Sequence, residues 1–353
     1  MNEYRIALIP GDNIGPEVMA EGGRVLKHLE TLGTCRFVFT TFPWGAGYYL
    51  KTGRAAPEDL CDELRGFDAI YFGAHGDPAR VPDHIGSQQL MHPIRKGFEL
   101  FANVRPIKSY PGVETPLKST APIDFTIVRE NTEGEYSGTG GRLHEGTPDE
   151  VAMMATFVTR RATERIIRFA FELARQRNGK KYVHSVTKSN ALRFTMVLWD
   201  DVFAEIAAEY PDIRTTRAHV DSTSMYVISR PETFDVMVAT NLMGDILSDE
   251  AACAAGSIGL AASANLDPTR RGPSMFEPIH GSAPDIAGKG IANPTATILA
   301  GSMMLDWLGE PQAAKAIRDA VDEVLAEGRV RTPDLGGSAR TPDVTAAIIA
   351  KLR

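Results

Sequence analysis

At 353 residues, 43% apolar and 24% charged, the chain has the make-up of an ordinary soluble globular protein, long enough for two lobes or one large α/β unit. A formal charge of -7 with no Lys/Arg cluster excludes a nucleic-acid-binding face, and no apolar run approaches the roughly 20 residues that span a bilayer. The start, MNEYRIALIPGD, lacks the basic-then-apolar pattern of a signal peptide, so a cytoplasmic location is expected. Cys35, Cys61 and Cys253 are odd in number and without C-x-x-C spacing, which suits reduced core residues better than a disulfide or zinc framework.

Tyr4 to Ile9 reads as a strand that runs through Pro10-Gly11-Asp12-Asn13-Ile14-Gly15-Pro16 into a helix from about Glu17 to Leu32. Glycines between a strand and a helix make a tight turn, either a plain connection or one that approaches a ligand. Neither G-x-G-x-x-G nor G-x-x-x-x-G-K-[ST] occurs, so a Rossmann or P-loop site is not supported. A strand at Phe37 to Phe42, a short helix at Pro57 to Gly66 and a strand at Asp68 to Gly73 follow. Such alternation predicts a largely parallel sheet with ligands at the carboxyl ends of its strands.

Arg95, Arg105 and, after a strand at Phe125 to Val128, Arg129 suit carboxylates, which a planar guanidinium grips with two bonds; scattered surface arginines would look the same. The acid- and glycine-rich RENTEGEYSGTGGRLHEG contains Tyr136. An amphipathic helix is expected from about Thr156 to Gln176, then a strand at Tyr182 to Val186 ending near Lys188, whose pKa could be lowered for proton transfer but which could equally be a surface charge. A helix at Leu192 to Tyr210 leads to a strand at Arg217 to Val220, with Asp221 at its end.

The core strand Phe234 to Ala239 precedes a helix from Leu242 on which Asp245 and Asp249, four residues apart, share a face. Two like charges so placed either form a solvated acidic surface or hold a hard cation, Mg²⁺ or Mn²⁺ rather than Zn²⁺. Gly272 to Pro294 reads as a long binding loop, and helices at Thr297 to Leu308 and Pro311 to Glu327 close the chain.

Taken together, RENTEGEYSG, TKSNALR, NLMGDILSD and FEPIHGSAPDIAGKGIANPTA resemble the β-decarboxylating dehydrogenases, which include isopropylmalate, isocitrate, homoisocitrate and tartrate/D-malate dehydrogenases. The similarity runs from the first loop to the final helices. It implies a non-Rossmann, two-lobe α/β/α sandwich around a mixed sheet: residues 1–100 and 256–353 would form the cofactor lobe, residues 101–255 the substrate, metal and dimer lobe. It also implies a homodimer, with residues 137–159 as an arm that clasps the partner.

By the same resemblance, Asp245 and Asp249 bind the divalent cation and Asp221 joins them from the partner. Arg95, Arg105 and Arg129 hold substrate carboxylates. Lys188, also from the partner, is the base for the hydroxyl, and Tyr136 is the acid that protonates the enol. Glu277, His280, Gly281, Ser282, Ala283, Asp285 and Asn293 match the cofactor loop, where Asp285-Ile286 resembles NAD users because a carboxylate accepts ribose hydroxyls and repels a 2′-phosphate.

The segment before Arg95 faces the variable part of the substrate in this family. The acid and two leucines of isopropylmalate enzymes are replaced by Gln88, Met91 and His92, and the Ser and Asn of isocitrate enzymes by Gln89 and Met91. Asp83-His84, RLHEGT and SANLDP resemble the tartrate/D-malate branch, although its Trp-Gly-Ser stretch is absent. The expectation is NAD-dependent oxidative decarboxylation of D-malate or tartrate. 3-Isopropylmalate dehydrogenase and a catalytically silent regulatory subunit are the alternatives, the latter disfavoured by intact Tyr136, Lys188 and the three aspartates.

Overall fold

The computed structural model describes residues 2–119 and 121–353. Its strands are β1 (Asn2–Gly11), β2 (Cys35–Thr41), β3 (Ala69–Ala74), β4 (Ala102–Lys108), β5 (Asp124–Glu130), β6 (Gly140–Leu143), β7 (Val151–Met154), β8 (Tyr182–Thr187), β9 (Arg214–His219), β10 (Val236–Ala239), β11 (Ala262–Leu266) and β12 (Ser274–Pro278). Ten of them form one sheet in the order β2-β1-β3-β12-β11-β4-β5-β10-β8-β9. Pairing is antiparallel at β12-β11, β11-β4 and β4-β5 and parallel elsewhere, so the sheet is mixed, as expected. Strands from both chain ends interleave in one half, because β12 pairs with β3.

All six residues of β3 and all four of β10 are buried, which accounts for their unbroken apolar sequence: a strand covered on both faces has no solvent side to mark with polar residues. The helix Thr295–Leu308 is apolar nearly all round for the same reason, and Tyr71 on β3 donates its hydroxyl to Thr297 O at 2.6 Å beneath it.

The helix expected from Thr156 begins at Arg160, since Thr159 has extended dihedrals and its side chain accepts from Ala162 N at 3.2 Å. Its buried Ile166, Ile167 and Phe171 each contribute about 1.5–3 kcal/mol. The ion pairs Arg160–Glu205 and Arg168–Glu209 are exposed and screened by solvent, so packing rather than charge holds this helix.

Two expectations are corrected. The stretch Gly272 to Pro294 is not all loop: residues 274–278 form β12, a five-residue strand made by its neighbours β3 and β11 rather than by any periodicity of its own. Asp221 does not end a strand. β9 stops at His219, and Asp221 lies in the first turn of the helix Val220–Ser229. Neither β4 nor β11 is evident from sequence pattern.

Residues 83–97 form a continuous helical run that widens to π geometry at Ser87–Met91. Pro93 lacks an N–H and its ring crowds the carbonyl four residues back, at Gln89, which explains the widening. The antiparallel pair β6 and β7 stands apart from the main sheet with Leu143, Val151, Met153 and Met154 exposed. No helix is long and apolar enough to cross a membrane among the described residues.

Candidate active site

β4 and β5 pair with Asn103 opposite Arg129, and the helix Asn241–Ala254 crosses above them. It can come close because of Gly244: a Cβ there would sit 2.8 Å from Cβ of Arg129. Asp245 on this helix is thereby driven between two buried guanidiniums. Arg105 donates to Asp245 Oδ1 at 3.1 Å and to Ser248 Oγ at 2.5 Å, and Arg129 donates to the same Asp245 oxygen. Arg129 is held from behind by Asn241 Oδ1, which accepts from Nη2 at 2.7 Å and Nε at 3.0 Å. Tyr136 donates its hydroxyl to Asp245 Oδ2 at 3.0 Å.

Burial pushes the Asp245 carboxyl up, but Arg129 and Arg105 outweigh it and hold the group below its ordinary range. Burial raises the Asp249 carboxyl, Arg105 at 3.5 Å opposes, and the charge on Asp245 adds to the rise. Burial and Arg105 pull the Arg129 pKa down to about 9, against the pull of Asp245. Tyr136 is raised by burial and then by Asp245, so it keeps its proton at neutral pH.

On the opposite wall, Arg95 rises from the end of the widened helix and donates to Glu277 Oε1 at 2.9 Å. Glu277 also accepts from Asn265 Nδ2 at 2.7 Å. Asn265 Oδ1 in turn accepts from Asn103 Nδ2 at 2.9 Å and Asn131 Nδ2 at 2.8 Å. Three buried asparagines, Asn103 on β4, Asn131 just past β5 and Asn265 on β11, thus form one network with Glu277 on β12 beneath the site. Sequence reasoning missed them, and Asn241 and Ser248 with them.

Arg95, Arg105, Arg129, Tyr136, Asp245, Glu277, His280 and Gly281 line one cavity of about 230 Å³, together with His75, Ser87, Met91 and His92. Three arginines against two carboxylates leave it positive, which suits an anion of substrate size. Burial and Arg95 push His92 down to about 4, so it enters the cavity as a neutral, polar ring. His75 was also missed; its Nδ1 is buried without a partner among the described residues.

The two glycine-bearing loops meet beside this cavity. Asp12 accepts from Ala46 N at 2.8 Å and Gly76 N at 2.9 Å, and Ile14 N donates to Ser282 O at 3.1 Å. Ser282 is buried, and Ala283 has a φ of 40°. Asn293 donates to Asp334 Oδ2 at 3.0 Å, while Asp285 is exposed. Among the described residues His280 Nε2 is buried without a partner, and a Cβ on Gly281 would meet nothing within 4 Å, so the loop has an unfilled polar atom and open space, as a cofactor cradle needs.

Lys188 and Asp221 lie elsewhere. They pair with each other at 2.6 Å beyond the carboxyl ends of the neighbouring strands β8 and β9, and neither lines the cavity. The Lys188 ammonium holds the Asp221 carboxyl below its usual range. Among the described residues no three metal-ligating side chains converge within one chain. Asp245 and Asp249 are hard oxygen donors whose mutual repulsion a divalent cation would relieve, so they fit such an ion but leave it short of ligands.

A family model described as "Isocitrate/isopropylmalate dehydrogenase" matches residues 5–348. The chain is 47% identical over 354 residues to a "Probable tartrate dehydrogenase/decarboxylase" of Bacillus subtilis (strain 168), covering 100% of this chain and 99% of the other. It is 49% identical over 356 residues to a "D-malate dehydrogenase [decarboxylating]" of Escherichia coli (strain K12), covering 99% and 98%. An isocitrate dehydrogenase crystal structure from Methylococcus capsulatus superposes with a TM-score of 0.89 at 39% identity, covering 99% of each chain.

Proposed function

Because the chain belongs to the isocitrate/isopropylmalate dehydrogenase family, we propose that it oxidises and decarboxylates D-malate or tartrate. The observation that carries this reading is the convergence of Arg95, Arg105 and Arg129 on one small cavity beside Asp245 and Tyr136. A nicotinamide supplies the hydride acceptor and a divalent ion the Lewis acid for the 2-oxo group.

The chain's own residues do the rest. Arg105 and Arg129, fixed by Asn103, Asn241 and Ser248, orient the substrate carboxylates with little reorganisation. Asp245 and Asp249 hold the ion, Mg²⁺ or Mn²⁺. Tyr136 keeps its proton for the carbon left bare by CO₂. Glu277, His280, Gly281, Ser282, Ala283 and Asn293 form the cofactor cradle, and the exposed Asp285 selects NAD by accepting ribose hydroxyls and repelling a 2′-phosphate.

The site is completed in a homodimer, with Lys188 of one chain as base and Asp221 as third metal ligand in the other chain's cavity. In support, both stand clear of the cavity in their own chain, and large exposed apolar residues flank them: Leu192 and Phe194 follow Lys188, and Met225 and Ile228 follow Asp221. The exposed apolar side chains of β6 and β7 suit an arm that pairs with the partner.

A panel of D-malate, tartrate, isopropylmalate and isocitrate, each with NAD and NADP, tests the assignment. The highest kcat/KM is expected for D-malate or tartrate with NAD. The neutral His92 in the cavity wall is left unpaired by an isopropyl group, at a cost of roughly 1–3 kcal/mol. A preference for isopropylmalate would overturn the reading.

A further inference from the structure

A second cavity, of about 530 Å³, opens at the β9 edge of the sheet and shares no lining residue with the first. Arg214 and Arg217 come from the edge strand, Tyr182 and His184 from β8, and Tyr226 and Arg230 from the end of the helix Val220–Ser229. Among the described residues no aspartate or glutamate lines it.

Arg217 is paired with Asp200 at 3.2 Å. Arg214 and Arg230 make no ion pair and no side-chain hydrogen bond among the described residues. Each lies instead over a tyrosine, Arg214 at 4.8 Å from the Tyr182 ring and Arg230 at 3.8 Å from the Tyr226 ring. Stacking holds a guanidinium flat and leaves its N–H edge free to donate. By contrast, Arg160, Arg168 and Arg175 on the helix Arg160–Arg177 each find a carboxylate, Arg175 while also lying over the Tyr210 ring. Burial and Arg230 also push His184 down to about 4, so its ring enters the cavity neutral and adds no charge of its own.

We propose that this cavity binds a small organic anion through a phosphate or carboxylate group held by Arg214 and Arg230, with its body against Tyr182 and Tyr226. The volume admits a ligand of metabolite size. Because Arg230 directly follows the helix Val220–Ser229, whose first turn holds Asp221, occupancy would brace the unit that presents Asp221 and Lys188. That regulatory link rests on the roles proposed above for those two residues; the binding itself does not.

Hydrogen exchange on the intact protein, with pyrophosphate and separately with citrate, tests the site without reading turnover. Residues 214–219 and 226–230 are expected to gain protection with at least one anion, pyrophosphate alone indicating a phosphate ligand and citrate alone a carboxylate. In Arg214→Gln/Arg230→Gln the protection is lost there, while the active-site segment 129–136 responds as in the parent. Arg217→Gln, whose guanidinium is already paired, retains it. Absence of protection with both anions, or equal protection in the double variant, would overturn the proposal.

Discussion

The Tyr136 hydroxyl donates to Asp245 Oδ2 across 3.0 Å, joining the proposed acid to the proposed metal ligand. Tyr136→Phe removes the proton donor and this bond but leaves the arginines in place. A fall in kcat of roughly 10²–10⁴ is expected, with KM for D-malate changed little. Steady-state kinetics on a variant of unchanged circular dichroism checks this, and an unchanged kcat would remove Tyr136 from the chemistry.

Lys188 and Asp221 meet each other at 2.6 Å and not the cavity, so their contribution is testable by subunit mixing. Lys188→Met and Asp245→Asn are each expected to be inactive. Once mixed and allowed to exchange subunits, half of the dimers carry one intact site, restoring about a quarter of the parent activity. No recovery despite verified exchange would place Lys188 in its own chain's site.

Asp285 is exposed beside the cradle, and its charge is the proposed basis for NAD. Asp285→Lys is expected to lower kcat/KM for NAD about tenfold, the value of one lost charge-assisted bond, and to raise it for NADP. Kinetics with both cofactors reads the result; an unaltered NAD/NADP ratio would assign discrimination elsewhere.

His184 is buried between Thr216 Oγ1 at 2.9 Å and Thr223 Oγ1 at 3.0 Å, and burial with Arg230 lowers its pKa from 6.5 to about 4. The unfolded chain therefore binds a proton in a range where the folded chain does not. Stability from this residue is complete above 6.5 and is lost as pH falls toward about 4, amounting to roughly 3 kcal/mol. Urea unfolding between pH about 7.5 and about 4.5 should show that loss, and His184→Gln should flatten it. Parallel pH slopes in the two proteins would refute the assignment.

The chain itself determined whatever depends on near neighbours. Asp245 and Asp249 share a face because helical geometry brings residues four apart together, and the apolar runs at β3 and β10 announce strands buried on both sides. Arg95, Arg105, Arg129 and Tyr136 were found through motifs. Only the tertiary structure decided that Arg95 faces Glu277, 182 residues away, or that Asn265 gathers Asn103 and Asn131 under both. It also made residues 274–278 a strand and placed Asp221 on a helix beside Lys188. A short strand and a buried amide take their meaning from the register of a sheet whose neighbours lie far off in the chain, and local pattern carries no record of that register.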